Sequence, residues 1–212
     1  MQLKITAKQD FGNYFSLVFE KPKGFIFYPG QYLDYELESD TRAFTISTSP
    51  TEDFLTLTAK KGSSEFKKAL DKLKPGDEII TSHPAGTFIL DESSPAVFIP
   101  GGIGITPFRS MIKYALDQKL KTKITLIYAS SDENFIFKQE LEKWQQDLPN
   151  LDIIYHNSTK LGHLTTLSPK PYPLNPIYYL AGSHEFVNAM EKILLEMKID
   201  QTNIRYDRFD GY

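Results

Sequence analysis

Residues 96–107 read Ala96-Val97-Phe98-Ile99-Pro100-Gly101-Gly102-Ile103-Gly104-Ile105-Thr106-Pro107, and this run decides the fold. Ala96 to Pro100 is a continuous apolar stretch, the pattern of a strand buried on both faces of a parallel sheet. The glycines that follow let a backbone approach a ligand without a Cβ in the way. Beyond them Phe108, Met111, Ile112, Ala115 and Leu116 recur at helical spacing, with Thr106 expected to cap the helix and Pro107 to take its first position. A strand, a glycine loop and a helix N-terminus in that order form the place where open α/β sheets receive nucleotide phosphates. The spacing is not the G-x-G-x-x-G dinucleotide fingerprint. Gly102 and Gly104 are both expected to clear space for the ligand.

Downstream the alternation continues. Strands are expected at 123–129, 151–156, 177–182 and 203–209, and helices at 135–146 and 184–197. With 96–100 this makes an α/β domain with a parallel five-stranded sheet. The proline-containing connector 158–176 is too long for a simple turn and is a candidate binding loop.

Upstream the period changes to two. Residues 3–8, 14–20, 31–37, 43–47, 54–60 and 77–82 are short runs rich in β-branched and aromatic residues, divided by turn signals at 22–24, 28–30, 49–53 and 75–77. Six such strands suggest an antiparallel six-stranded β-barrel, interrupted by one helix at 63–73. The expected division is therefore residues 1–92 and 93–212, with Glu92-Ser93-Ser94-Pro95 as the hinge. In the barrel half, Arg42, Phe44 and Ile46 fall on one face of a regular strand and Thr45 and Ser47 on the other. An arginine can fork onto phosphate, an aromatic can stack on a flat ring, and a hydroxyl can reach a ring nitrogen.

Composition narrows the chemistry. The absence of cysteine rules out disulfides, thiolate metal sites and cysteine nucleophiles, so redox chemistry has to come from a bound organic cofactor. His83, His156, His163 and His184 are scattered singly, without metal-ligand spacing, and no metal is expected. A net charge of −3 argues against a nucleic-acid partner. No apolar run approaches the roughly 18 residues of a membrane span, and the N-terminus alternates like a strand rather than a signal peptide. Cytoplasmic residence is the default expectation.

Taken together, these motifs resemble the ferredoxin–NADP reductase superfamily, in which an FAD-binding β-barrel precedes an NAD(P)-binding α/β domain. Pro29-Gly30-Gln31-Tyr32 looks like the segment before the flavin strand, and Arg42, Phe44 and Thr45 match its Arg-x-aromatic-Ser/Thr motif. The resemblance implies that Arg42 binds the FAD diphosphate, Phe44 packs on the flavin and Thr45 lies near flavin N5, with Ala43 beside them. It implies that Ala59 and Lys60 border the cofactor, and that Gly62, Ser63 and Ser64 form a diphosphate loop at a helix N-terminus. Gly86-Thr87-Phe88 resembles the segment closing the barrel. Gly101, Gly102, Gly104, Thr106 and Pro107 match the Gly-Gly-x-Gly-x-Thr-Pro motif for the nicotinamide dinucleotide. Ala181 and Gly182 lie in the segment beside the nicotinamide, where Ala181 and Ser183 stand in place of the family's usual cysteine and proline. Asp207-Arg208-Phe209 matches the terminal acid-x-aromatic pattern, which makes Asp207 a polar group near N5 and Phe209 the cover of the other flavin face. Tyr212 is a competing cover.

The implied activity is hydride transfer from NADH or NADPH to bound FAD, then electron transfer to an acceptor protein or small molecule. The alternatives are a non-catalytic flavin or nucleotide sensor, a partner-dependent electron-transfer subunit, and a nucleotide-binding domain joined to an unrelated β module without flavin. Ser130-Ser131-Asp132 after the second strand of the sheet carries no base for a 2′-phosphate, which tilts the expectation to NADH, although Lys138 and Lys160 lie within folding reach. Lys60, Lys61, Lys67, Lys68, Lys72 and Lys74 form a basic run that reads first as a solvated helix face and second as a dock for an acidic carrier.

Overall fold

A computed structural model describes residues 1–131, 135–165, 167 and 174–209. The first half is built from β1 (Gln2–Asp10), β2 (Tyr14–Glu20), β3 (Tyr32–Leu37), β4 (Asp40–Thr45), β5 (Phe54–Lys60), α1 (Glu65–Lys72) and β6 (Glu78–Thr81). The strands pair antiparallel in the order β4-β3-β6-β1-β2-β5. The two edges then meet: Ile46 bridges Leu57, and Ser47 N–H donates to Thr56 O at 2.9 Å. Closure removes both sheet edges, which would otherwise expose unpaired backbone groups. Leu3, Ile5, Phe15, Leu17, Leu33, Tyr35, Ile46 and Leu57 fill the interior. Helix α1 lies against them through Phe66 and Leu70, and Ser64 caps it by accepting from Lys67 N–H.

The second half contains β7 (Ala96–Pro100), α2 (Ile105–Asp117), β8 (Ile124–Ser130), α3 (Lys138–Asp147), β9 (Leu151–Asn157), α4 (Ser158–Leu161), β10 (Ile177–Ser183), α5 (His184–Glu196) and β11 (Ile204–Phe209). Its strands form the five-stranded parallel sheet β11-β10-β7-β8-β9. The period of two along β7 sets the layers. Ala96 and Phe98 pack under Phe108, Met111 and Ile112 of α2, while Val97 and Ile99 face Val187, Met190 and Leu194 of α5. Phe98 stacks on Phe108 with ring centroids 4.7 Å apart.

Two helix starts in the second half differ from the sequence reading. Helix α2 begins at Ile105, entered from a 3-10 turn over Gly102–Gly104, so Thr106 is inside the helix rather than its cap. The reason is local: Pro107 has no N–H for the Ile103 carbonyl, and Thr106 Oγ1 donates to that carbonyl instead, at 3.1 Å. Helix α3 begins at Lys138, not Phe135. Phe135 turns into the sheet, with its ring 4.9 Å from Tyr128 and 5.0 Å from Tyr155, and Phe137 takes a left-handed backbone (φ 63°) to start the helix. The 158–176 connector opens on α4, capped by Asn157; residues 166 and 168–173 lie outside the described residues.

The chain crosses between the halves from 82 to 95. Phe88 and Leu90 on this crossing belong to the same apolar cluster as Phe98, Phe108 and Tyr179. Phe88 meets Phe108 and Tyr179 edge-on at 5.8 and 5.6 Å, and Tyr179 Oη accepts from Asp91 N–H at 2.9 Å.

Candidate functional site

A cleft of about 280 Å³ opens where the barrel meets the carboxyl ends of the parallel strands. From the barrel it is lined by Tyr32, Ala43, Phe44, Thr45, Thr58, Ala59 and Lys60, with Lys67 from α1. Ile103 and Thr106 border it from the glycine loop and the start of α2, and Asp207, Arg208 and Phe209 from the end of β11. Motifs separated by more than 160 positions in the sequence thus converge on one space.

The barrel wall follows from strand register. Thr45 pairs with Tyr32 across β3 and β4 and is buried, and both border the cleft. Phe44 also borders it, but one of its faces is taken: Phe66 stacks on it at 6.1 Å with the rings 18° apart. Arg42 is not among the lining residues; its Nη2 pairs with Asp40 Oδ2 at 2.7 Å. Gly62, Ser63 and Ser64 lie at the start of α1, just outside the lining. Lys67 fills the space over Gly62, where a Cβ would stand 2.7 Å from Lys67 Cδ. Burial, and secondarily the Lys60 ammonium, hold the Lys67 amine below the usual lysine range. Two amines beside a partly apolar wall suit an anionic group carried by a flat ring system.

On the opposite wall, register places Ala181 beside Asp207 and Gly182 beside Arg208. Ala181 is fully buried, and its carbonyl accepts from Gly101 N–H at 2.8 Å. Burial raises the Asp207 carboxyl to about 6. Arg208 is turned away to α5, donating to Asn188 Oδ1 at 3.1 Å and Glu191 Oε2 at 2.8 Å. Tyr212 lies outside the described residues.

The two glycines of the loop have different surroundings. At Gly102 (φ 53°) a Cβ would meet only Tyr14 Oη, at 3.9 Å, so this position faces open space. At Gly104 a Cβ would stand 2.1 Å from the Ala181 carbonyl oxygen. The expectation that Gly104 clears space for a ligand is therefore corrected: it lets β10 pass against the loop.

Lys67, Thr58, Ile103 and Arg208 border the cleft without having been assigned to the site from the sequence, while Tyr32 comes from the Pro29–Tyr32 segment. In the basic run, Lys61 pairs with Asp10 at 2.6 Å and Lys68 with Glu65 at 2.8 Å, while Asp71 on the same helix pairs with Lys8 at 2.8 Å. The patch is interleaved with acids rather than a uniform field. Among the described residues no group of three or more His, Asp or Glu is placed to hold a metal ion, and no helix is long and apolar enough to cross a membrane.

A barrel followed by a parallel α/β sheet, with the cleft at the strands' carboxyl ends, defines a two-domain nucleotide-cofactor-binding class. Comparison with known proteins agrees. Residues 98–165 match the family model described as the oxidoreductase NAD-binding domain. Flavohemoprotein A of Dictyostelium discoideum is 26% identical over 208 residues, covering 85% of this chain and 52% of that protein. The chain spans about half the length of the curated flavohemoproteins it matches. The flavohem-like FAD/NAD-binding domain of nitric oxide dioxygenase from Vibrio cholerae superposes with a TM-score of 0.83 at 21% identity, covering 98% of each chain. Ferredoxin–NADP⁺ reductase from Plasmodium falciparum does so with a TM-score of 0.83 at 20% identity, covering 98% of this chain and 95% of that one. The fold is the one shared by the flavohem-like FAD/NAD-binding domain and ferredoxin–NADP⁺ reductase.

Proposed function

We propose that this chain is a reductase module that binds FAD in the interdomain cleft and accepts hydride from a nicotinamide dinucleotide bound against the Gly101–Pro107 loop. The observation that carries the reading is the convergence of Thr45 from the barrel with Thr106, Asp207 and Phe209 from the α/β half on a single cleft. FAD, when bound, supplies the acceptor for hydride and a store from which electrons pass on.

In this reading, Ala43, Phe44, Thr45 and Ala59 form the barrel wall against the ring system, and the Thr45 hydroxyl offers a hydrogen bond to its edge. Lys60 and Lys67, with the α1 start at Gly62, Ser63 and Ser64, hold the diphosphate; Arg42 contributes once it leaves Asp40. Phe209 covers the exposed ring face and excludes water until the nicotinamide displaces it. Gly102 leaves room for the dinucleotide, and Thr106, Ala181 and Gly182 border the nicotinamide. Asp207, whose carboxyl burial raises to about 6, is mostly ionised at neutrality and can accept a hydrogen bond in the cleft, gaining a proton only as the pH falls through that value. The module comprises a barrel over residues 1–92 and a dinucleotide-binding domain over 93–212.

NADH is the favoured donor. Ser130 ends β8 and Ser131 follows it, neither with a basic side chain, and Lys138 is engaged by Glu142 at 3.7 Å and by the Tyr155 ring at 5.1 Å. The acceptor is a separate protein or a small molecule in the cytoplasm.

The test is to purify the chain, identify its flavin after incubation with FAD, and titrate it anaerobically with NADH and NADPH. Bleaching of the flavin band by NADH at lower concentration than NADPH is expected. A protein that binds no flavin, or whose flavin neither dinucleotide reduces, refutes the reading.

A further inference from the structure

One contact between the two halves is built around an arginine on α2. Arg109 is buried, with its side chain 7% exposed, and its guanidinium is shared among three acceptors from two directions. Nη1 and Nη2 fork onto Glu52 at 2.7 and 3.1 Å, and Nη1 also donates to the Ser47 carbonyl at 3.1 Å. Nε donates to Glu140 on α3 at 3.0 Å. The cation lies over the rings of Phe137 and Trp144, 5.5 and 5.1 Å from their centroids. Glu52 is itself held, because its Oε2 accepts from Ser49 N–H at 2.7 Å. Next along the helix, Ser110 Oγ donates to the Thr48 carbonyl at 2.6 Å.

The position of this clamp gives it a functional meaning. Ser47 lies two residues beyond Thr45, the end of the barrel strand that walls the cleft. Arg109 lies three residues beyond Thr106, at the head of the helix that walls the other side. Both walls are therefore tied together within one turn of the residues that face the cofactor, and Arg109 borders no part of that cleft.

We infer that Arg109 is a positioning residue for hydride transfer: its fork on Glu52 and Ser47 fixes the spacing between the barrel strand and the glycine loop. The inference rests on the reductase reading above. Donor carbon and acceptor nitrogen must approach to about 3–3.5 Å, so a clamp that loosens by a fraction of an ångström slows transfer without removing a ligand contact. A lysine keeps the charge but cannot fork onto a carboxylate and reach the Ser47 carbonyl and Glu140 together.

The test compares wild type, Arg109→Lys and Glu52→Gln, each loaded with FAD and mixed anaerobically with NADH. Four quantities are read: flavin content, the dissociation constant for NADH, the long-wavelength charge-transfer absorbance and the single-turnover reduction rate. Both variants should retain FAD and bind NADH within about threefold of wild type, because the residues touch neither ligand. The charge-transfer band should fade and reduction should slow roughly tenfold or more in parallel, a change of about 1.4 kcal/mol in the barrier. Glu52→Gln is the milder lesion and decides the matter if Arg109→Lys fails to fold. Wild-type rates and an unchanged band in a folded variant overturn the inference while leaving the reductase reading intact. So does a rate that falls only in proportion to lost flavin. A wild-type protein that NADH does not reduce overturns both.

Discussion

Replacing each of the two loop glycines separates architecture from ligand binding. At Gly104 an added Cβ would lie 2.1 Å from the Ala181 carbonyl oxygen, 2.5 Å from its carbon and 2.8 Å from Gly182 N. Carbon–oxygen contacts settle at about 3.3–3.6 Å, so the overlap exceeds about 1 Å. The obstructing atoms are backbone of β10, whose neighbours on both sides hold it in register, so the strand cannot swing away as a side chain would. Overpacking of this kind costs about 1–3 kcal/mol and, against fixed backbone, belongs at the upper end. At about 2–4 °C per kcal/mol for a chain of this size, Gly104→Ala should lower Tm by roughly 6–12 °C. Gly102 differs, since its penalty is conformational: φ is 53° and the space is open. Asparagine tolerates that region, so Gly102→Asn should cost under about 1 kcal/mol. Its side chain should nevertheless stand in the dinucleotide's path and weaken NADH binding. Calorimetry of the flavin-loaded variants and NADH titration read both effects. A Gly104→Ala protein as stable as wild type would refute the packing argument, and a Gly102→Asn protein with unaltered NADH affinity would refute the assignment of that space.

Two further perturbations address the cleft itself. Asp207 has its folded-state carboxyl raised from 3.8 to about 6, so the folded protein binds the proton more tightly than the unfolded chain. Stability of the flavin-free protein should therefore fall as pH rises from about 4 through 6 and level off above. Asp207→Asn should flatten that slope, matching wild type near pH 4 and exceeding it at pH 8 in urea unfolding; equal slopes would contradict the burial argument. Lys67→Met should weaken FAD by roughly 10–100-fold, the worth of a charge-assisted contact of about 1.5–3 kcal/mol, and leave riboflavin unaffected. Arg42→Ala should do less because Asp40 already holds that guanidinium, and fluorescence titration giving the reverse order would return the diphosphate to Arg42.

The sequence displayed the second sheet most clearly. A run such as Ala96–Pro100 has no polar position to offer water, and burial on both faces leaves little freedom in where it goes. The barrel was legible for a different reason: alternation and turn signals mark each strand, although its closure through Ile46 and Leu57 does not show in any local pattern. The misread helix starts came from competing demands. Thr106-Pro107 fits the head of a helix in isolation, yet the preceding glycines had already begun to turn. Phe135 and Ile136 continue a helical period, but Tyr128 and Tyr155 give the Phe135 ring a better burial and Ile136 joins the same apolar cluster. Lys67 was hidden because a lysine among lysines on a short helix looks solvated until Gly62 leaves room beneath it. Arg109 was the least visible, because it interrupts an apolar helix face and its acceptor Glu52 lies 57 positions upstream. Gly104 was recognised as special for the wrong reason.

The crossing between the halves has a consequence for transplanting either of them. Phe88 and Leu90 precede the second sheet in the chain but are packed inside its apolar cluster, and Asp91 N–H is bonded to the Tyr179 hydroxyl. A fragment started at residue 93 would carry a notch where those two side chains belong, with the edges of Phe108 and Tyr179 opened to water. Filling a vacancy of that kind typically requires several kcal/mol of lost packing to be recovered elsewhere. A graft of the dinucleotide-binding half onto another carrier should therefore be spliced ahead of Gly86, so that the segment leading into the sheet travels with the core it completes.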